Sequence, residues 1–172
     1  MNIHIKITEA LMEQVRTDLH RRHPFAFERV GFLTAGATRS RDGDILLLCR
    51  GYHPVADEDY EPSATVGAQI GSDAMRKAIE VAYAGKSALL HIHTHGGRGV
   101  PAFSRTDLVS GAQFVPGFFN ALPRTPHGLL VLSNTSAQGL VWTAKSAKPQ
   151  RVDGFTQVGR SVQKFGDRYE QA

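Results

Sequence analysis

The stretch Leu90-His91-Ile92-His93-Thr94-His95 constrains this chain more than any other part of it. Side chains alternate faces along a strand, so His91, His93 and His95 share one face and Leu90 and Ile92 point to the other. Two imidazoles at i and i+2 on such a strand can converge on one ion, and neutral imidazole is the commonest metal ligand in proteins. The strand runs into Gly96-Gly97-Arg98-Gly99-Val100-Pro101, where three glycines let the backbone turn sharply beside a ligand. Ser104-Arg105-Thr106-Asp107 follows, reading as the start of a helix. A carboxylate in a first helical turn can swing back to an ion at the strand end. His93, His95 and Asp107 would then supply three ligands, the number a catalytic zinc takes while keeping a fourth position for water. Ser-x-x-Asp is equally a helix capping box, and three histidines can be a plain polar face. The combination of strand, glycine loop and Ser-x-x-Asp favours the metal site.

The rest of the composition narrows the setting. A chain of 172 residues, 41% apolar and 21% charged, suits one folded domain with a real core. The apolar runs, such as Ile45-Leu46-Leu47-Leu48-Cys49, fall far short of the ~20 residues that span a bilayer. The N-terminus MNIHIKITEALMEQ lacks a basic stretch followed by an apolar one, so a cytoplasmic location is expected, with no membrane partner. The single cysteine, Cys49, excludes an internal disulfide and a Cys-rich structural zinc site. The net charge is +4, and from Lys145 onward six basic residues face three acidic ones. No nucleic-acid motif accompanies that excess, so a solvated surface is expected there rather than a nucleic-acid interface.

Periodicity gives the order of elements. Ile3, Ile5 and Ile7 alternate with His4 and Lys6, which predicts a half-buried strand over residues 2–7. Thr8 then caps a helix reaching about residue 22, with Pro24 breaking it. Residues 29–35 and 45–50 read as strands of a hairpin around 39–43. Residues 53–71 are an acidic loop or irregular strand, and Ser72 caps a helix that Gly85 ends. The histidine strand spans 87–95, and 128–133 with 139–143 make a second hairpin. From about 146 the periodicity is weak. Strands and helices interleave without strict alternation, which predicts an α/β or α+β fold with a mixed central sheet flanked by helices.

The site motif resembles that of the JAMM/MPN (JAB1/Mov34/PAD-1) metalloproteases, and a compact chain of this kind is similar to the prokaryotic JAB-domain type. The family pattern is an upstream Glu-x-x-Gly-x-Leu, then His-(Ser or Thr)-His, a spacer of seven, Ser, two residues and Asp. This chain has Glu28-Arg29-Val30-Gly31-Phe32-Leu33, His93-Thr94-His95, an eight-residue spacer from Gly96 to Phe103, and Ser104 to Asp107. The spacer is one residue long, and Gly96 stands where a proline often follows the second histidine. His91 is an additional histidine, which in a shifted register would replace His93 or His95. The resemblance covers roughly residues 5–145. It implies the cytidine-deaminase-like JAB/MPN fold over residues 1–145, with 146–172 as a basic tail, disordered or partner-docking. It also implies one zinc ion per chain on His93, His95 and Asp107, Glu28 as the general base, and Ser104 as a donor to the oxyanion.

The activity implied is zinc-dependent hydrolysis of the amide bond after the tail of a ubiquitin-like protein, by deconjugation or precursor processing. The partners implied are that protein or its conjugates, with E1-like and E2-like enzymes as companions. The segment from Gly159 to Glu170 loosely resembles the entry segment of E1-like adenylating domains. Processing of a sulfur-carrier protein or small peptide, and a catalytically silent scaffold, are the alternatives.

Overall fold

A computed structural model describes residues 1–22, 27–63 and 67–166. The chain runs β1 (Ile3–Thr8), α1 (Glu9–Leu19), β2 (Val30–Arg39), β3 (Ile45–Pro54), a short 3-10 turn (Asp57–Asp59), α2 (Ser72–Ala84), β4 (Ala88–Thr94), α3 (Arg105–Ala121), β5 (His127–Leu132), β6 (Ala137–Trp142), β7 (Gln150–Arg151), β8 (Gly154–Val158) and β9 (Val162–Phe165). The strands form one mixed sheet in the order β7-β6-β5-β4-β2-β3-β1-β8-β9. This is the α+β class with a mixed central sheet that the alternation of elements predicts. Among the described residues, no helix is long and apolar enough to cross a membrane.

Each face of the sheet carries its own core. On one face Ile3, Ile5 and Ile7 of β1 pack with Leu11, Met12, Val15 and Leu19 of α1, together with Leu90 and Ile92 of β4. On the other face Leu89 joins Ala74, Ala78 and Ala82 of α2 and Val115, Phe118 and Phe119 of α3. The period-two pattern of β4 therefore sends Leu90 and Ile92 to the α1 side and Leu89, His91 and His93 toward the α2–α3 side.

Local signals hold where they are strong. Thr8 caps α1 by accepting from the Leu11 amide, and β2 and β3 form the expected antiparallel hairpin. Several boundaries differ: β2 runs on to Arg39 rather than 35 and β6 begins at Ala137 rather than 139, and three others have a visible cause. Helix α1 stops at Leu19 rather than near 22, because the carbonyls of Arg21 and Arg22 accept from the Arg29 guanidinium. Pro24, the expected breaker, lies outside the described residues. Strand β3 continues to Pro54 because Gly31, Phe32 and Leu33 supply a ladder for it. Gly71, not Ser72, is the N-cap of α2, and it caps without a side chain. Its amide is bonded to Asp59 O and the adjacent Ile70 bridges Tyr60, which together set where the helix begins.

The largest correction concerns residues after 145. They do not stand apart as a tail: β8 pairs in parallel with β1 along its length, and β9 extends the sheet beyond it. Phe155 is buried in the α1-side core. Asp153 clasps Ile3 in both directions, its Oδ2 accepting from the Ile3 amide and its own amide donating to Ile3 O, each at 2.8 Å. The strand partner lies about 150 residues away in sequence, so no local periodicity announces it. Residues 167–172 lie outside the described residues.

Candidate metal centre

Strand β4 ends between β2 and β5, and its last histidines reach the edge of the α2–α3 side. Thr94, between them, turns its hydroxyl to Leu132 O at 3.1 Å and accepts from the Gly96 amide at 3.1 Å. That anchors the strand end to β5. Gly96, Gly97 and Gly99 all take positive φ, so the loop doubles back as glycine permits. The loop is held against the β5–β6 turn, where Ser133 Oγ donates to Gly99 O at 2.6 Å and Asn134 N donates to Gly97 O at 2.9 Å.

Helix α3 brings the carboxylate. Ser104 is its N-cap and forms a full capping box with Asp107: Ser104 Oγ accepts from the Asp107 amide at 3.1 Å, and Asp107 Oδ2 accepts from the Ser104 amide at 2.7 Å. One turn on, Gly111 lies against Leu129 of β5 so tightly that a Cβ there would collide with the leucine. Asp107 and Gly111 are i and i+4 on one helix face, so this close approach carries the Asp107 carboxylate down to the strand end. The far end of α3 is fixed by the fully buried His127, whose Nε2–H donates to Leu122 O at 3.0 Å while its Nδ1 accepts from the Leu89 amide at 3.0 Å.

Four of the residues singled out by the motif meet here. His93 Nε2 and His95 Nε2 stand 3.1 Å apart. Asp107 places Oδ1 3.3 Å from the first and Oδ2 3.3 Å from the second. A tetrahedral zinc with bonds of 2.0–2.1 Å separates its ligand atoms by about 3.3 Å. The imidazole spacing is close to that edge, and the donor set of two imidazoles and one carboxylate suits such an ion. Glu28 belongs to the same place: it, His93 and His95 each offer a ligand atom within 4.8 Å of the other two. Side-chain exposure rises from 4% at His93 through 17% at Asp107 to 25% at His95, so the site opens to solvent on the His95 side.

The charge balance suits a cation. Burial alone would raise the Asp107 carboxyl, but the His93 ring and the bonds from Ser104 outweigh it and hold the group well below the usual carboxylate range. Asp107 is therefore ionised at neutral pH. His91 shares the strand face but not the cluster: its ring lies 5.4 Å from Phe32 and 5.2 Å from Phe114, and burial pushes its imidazole down to about 3. It is a neutral packing histidine, so His93 and His95 are the pair that faces the carboxylates.

The cleft around the cluster has a volume of about 340 Å³. Glu28, His93, His95, Ser104 and Asp107 are among its lining residues, and Val30, Ile70, Met75, Phe114 and Leu129 give it an apolar part. Ser104 stands exposed at its rim. Several residues that set this geometry carry no motif. Arg29 is 1% exposed, donates to Arg21 O at 2.7 Å and pairs with Asp57 at 2.8 Å, which fixes the backbone beside Glu28. Tyr60 clasps Val30 from both sides, its hydroxyl accepting from Val30 N at 2.9 Å and donating to Val30 O at 3.2 Å. An arginine directly after the candidate base was the only trace of this in the sequence.

No protein-family model matches this chain, and no curated protein matches it. Among solved structures it is similar to the N-terminal domain of STIL from Trichoplax adhaerens, at 11% identity and a TM-score of 0.39. The match covers 80% of this chain, which spans 40% of that one.

Proposed function

We propose that this protein is a zinc-dependent isopeptidase of the JAMM type, acting on the tail of a ubiquitin-like protein within a JAB/MPN fold. One observation carries the reading: His93 Nε2 and His95 Nε2 stand 3.1 Å apart, each 3.3 Å from a different oxygen of Asp107, with a Glu28 ligand atom within 4.8 Å of both. Histidines alone are common in polar faces, but two imidazoles facing one carboxylate, beside a further carboxylate in a cleft, support a hydrolytic site.

The chemistry a bound zinc ion supplies is Lewis acidity, which polarises a carbonyl and makes water a stronger acid. The chain's own groups do the rest. Glu28 takes a proton from the attacking water and delivers it to the departing amine. The Ser104 hydroxyl accepts from the Asp107 amide, which leaves its O–H to donate to the oxygen that gains charge. The positive end of α3 lies at the same place and favours that charge. The apolar part of the cleft, from Val30 to Phe114, offers a bed on which an extended tail can lie.

The test is hydrolysis of a fluorogenic coumarin amide of a peptide ending in Gly-Gly, by zinc-loaded protein. Turnover should vanish with a chelator, return with zinc, and be lost in Glu28→Gln while the metal stays bound. Stoichiometric zinc without cleavage of this amide or of a ubiquitin-like conjugate would remove the reading.

A further inference from the structure

The residue that sets the position of Glu28 lies 39 positions away in sequence. The carbonyl of Gly67 accepts from both the Phe27 and the Glu28 amides, each at 2.9 Å, so one oxygen anchors two successive amides of the segment that carries Glu28. The Glu28 side chain then folds back over the same residue. A Cβ built on Gly67 would stand 2.5 Å from Glu28 Oε2 and 2.6 Å from its Cδ. What the missing side chain provides is room for the carboxylate.

We infer that Gly67 is a positioning residue for Glu28: its bare α-carbon is the surface against which the carboxylate is held beside His93 and His95. This rests on the base role given to Glu28 above. A methyl group at 67 pushes the carboxylate back to ordinary contact, a shift of about 1 Å, and a misplacement of that size costs about 100-fold in rate. The flexible end of Glu28 yields, so the fold is kept.

The experiment compares zinc-loaded wild type, Gly67→Ala, Glu28→Gln and the double variant, using the Gly-Gly coumarin amide and crystal structures of the first two. Gly67→Ala should keep its thermal midpoint and one zinc per chain. Its kcat should fall about 100-fold with KM little changed. In the Glu28→Gln background the same substitution should cost less than about threefold. The crystal structure should show the Glu28 carboxylate displaced from the histidine pair. An unmoved carboxylate, wild-type kcat, or an equal loss in both backgrounds each overturns the inference. A Glu28→Gln protein as active as wild type would instead overturn the base role, and the crystal comparison would still decide whether Gly67 sets the position of Glu28.

Discussion

His93 and His95 hold their Nε2 atoms 3.1 Å apart across a single threonine. Their separation matters because Asp107, arriving from a different element, places an oxygen 3.3 Å from each. Neutral imidazole nitrogens and carboxylate oxygens gain from such crowding when a cation sits among them.

Removing any one of these three should therefore remove the metal. His93→Ala or Asp107→Ala should bind zinc too weakly to survive dialysis, whereas Glu28→Gln should retain one zinc per chain. Glu28→Gln should lose about 10²–10⁴-fold in kcat, the usual contribution of a general base. Metal analysis beside the amide assay separates the two classes. A Glu28→Gln protein that loses its zinc would make Glu28 a ligand instead.

Ser104 serves two ends at once, the capping box and the cleft rim. Ser104→Ala should lower stability by about 1 kcal/mol through the lost cap, and kcat by about 10²–10³-fold through the lost donor. Ser104→Asp keeps a capping acceptor but brings a negative charge to the oxyanion, so it should recover stability without activity. Chemical denaturation and kinetics on the two variants check this. Full activity in Ser104→Ala would leave the serine a cap alone.

Acid should weaken the fold through His127. Burial holds its imidazole below the ordinary value of 6.5, and Nδ1 already accepts from the Leu89 amide, so a second ring proton has no acceptor. The unfolded chain therefore takes up that proton first. This contribution to stability is complete above pH ~6.5 and is lost below it, by up to about 1.4 kcal/mol per pH unit. Urea unfolding of metal-free protein between pH 8 and 5, beside His127→Asn, should show the steeper loss in wild type. Parallel curves would exclude His127 as the cause.

Cys49 lies in the α1-side core, and burial pushes its thiol up to about 12. At pH 8 a thiol reagent should leave the native protein unlabelled and modify it fully in denaturant. Rapid labelling of native protein would contradict the packing of β3 against α1.

Residues beyond 145 should prove integral. Phe155→Ala should cost about 3–5 kcal/mol, as for a buried aromatic truncated in a core. A chain ended at residue 145 would expose the β1 edge that β8 covers, and should be aggregation-prone or unfolded. A truncated protein with wild-type melting would contradict the placement of β8.

Much of this molecule is written locally. The alternation of Ile3, Ile5 and Ile7, the Thr8 cap, the β2–β3 and β5–β6 hairpins and the Ser104–Asp107 box are patterns of neighbouring residues, and backbone geometry turns such patterns directly into elements. The pairing of His93 with His95 belongs with them, because the period of an extended chain alone puts both imidazoles on one face. Other features are set by residues far apart in sequence. Parallel pairing joined β8 to β1, a ladder with no local signature. Close approach at Gly111 set the height of Asp107. The seat of Glu28 depends on Gly67 and the buried Arg29 anchor, whose importance comes from clearances and hydrogen bonds between distant segments. A sequence records what each residue prefers beside its neighbours, while the room left for one side chain by another exists only once the chain has packed.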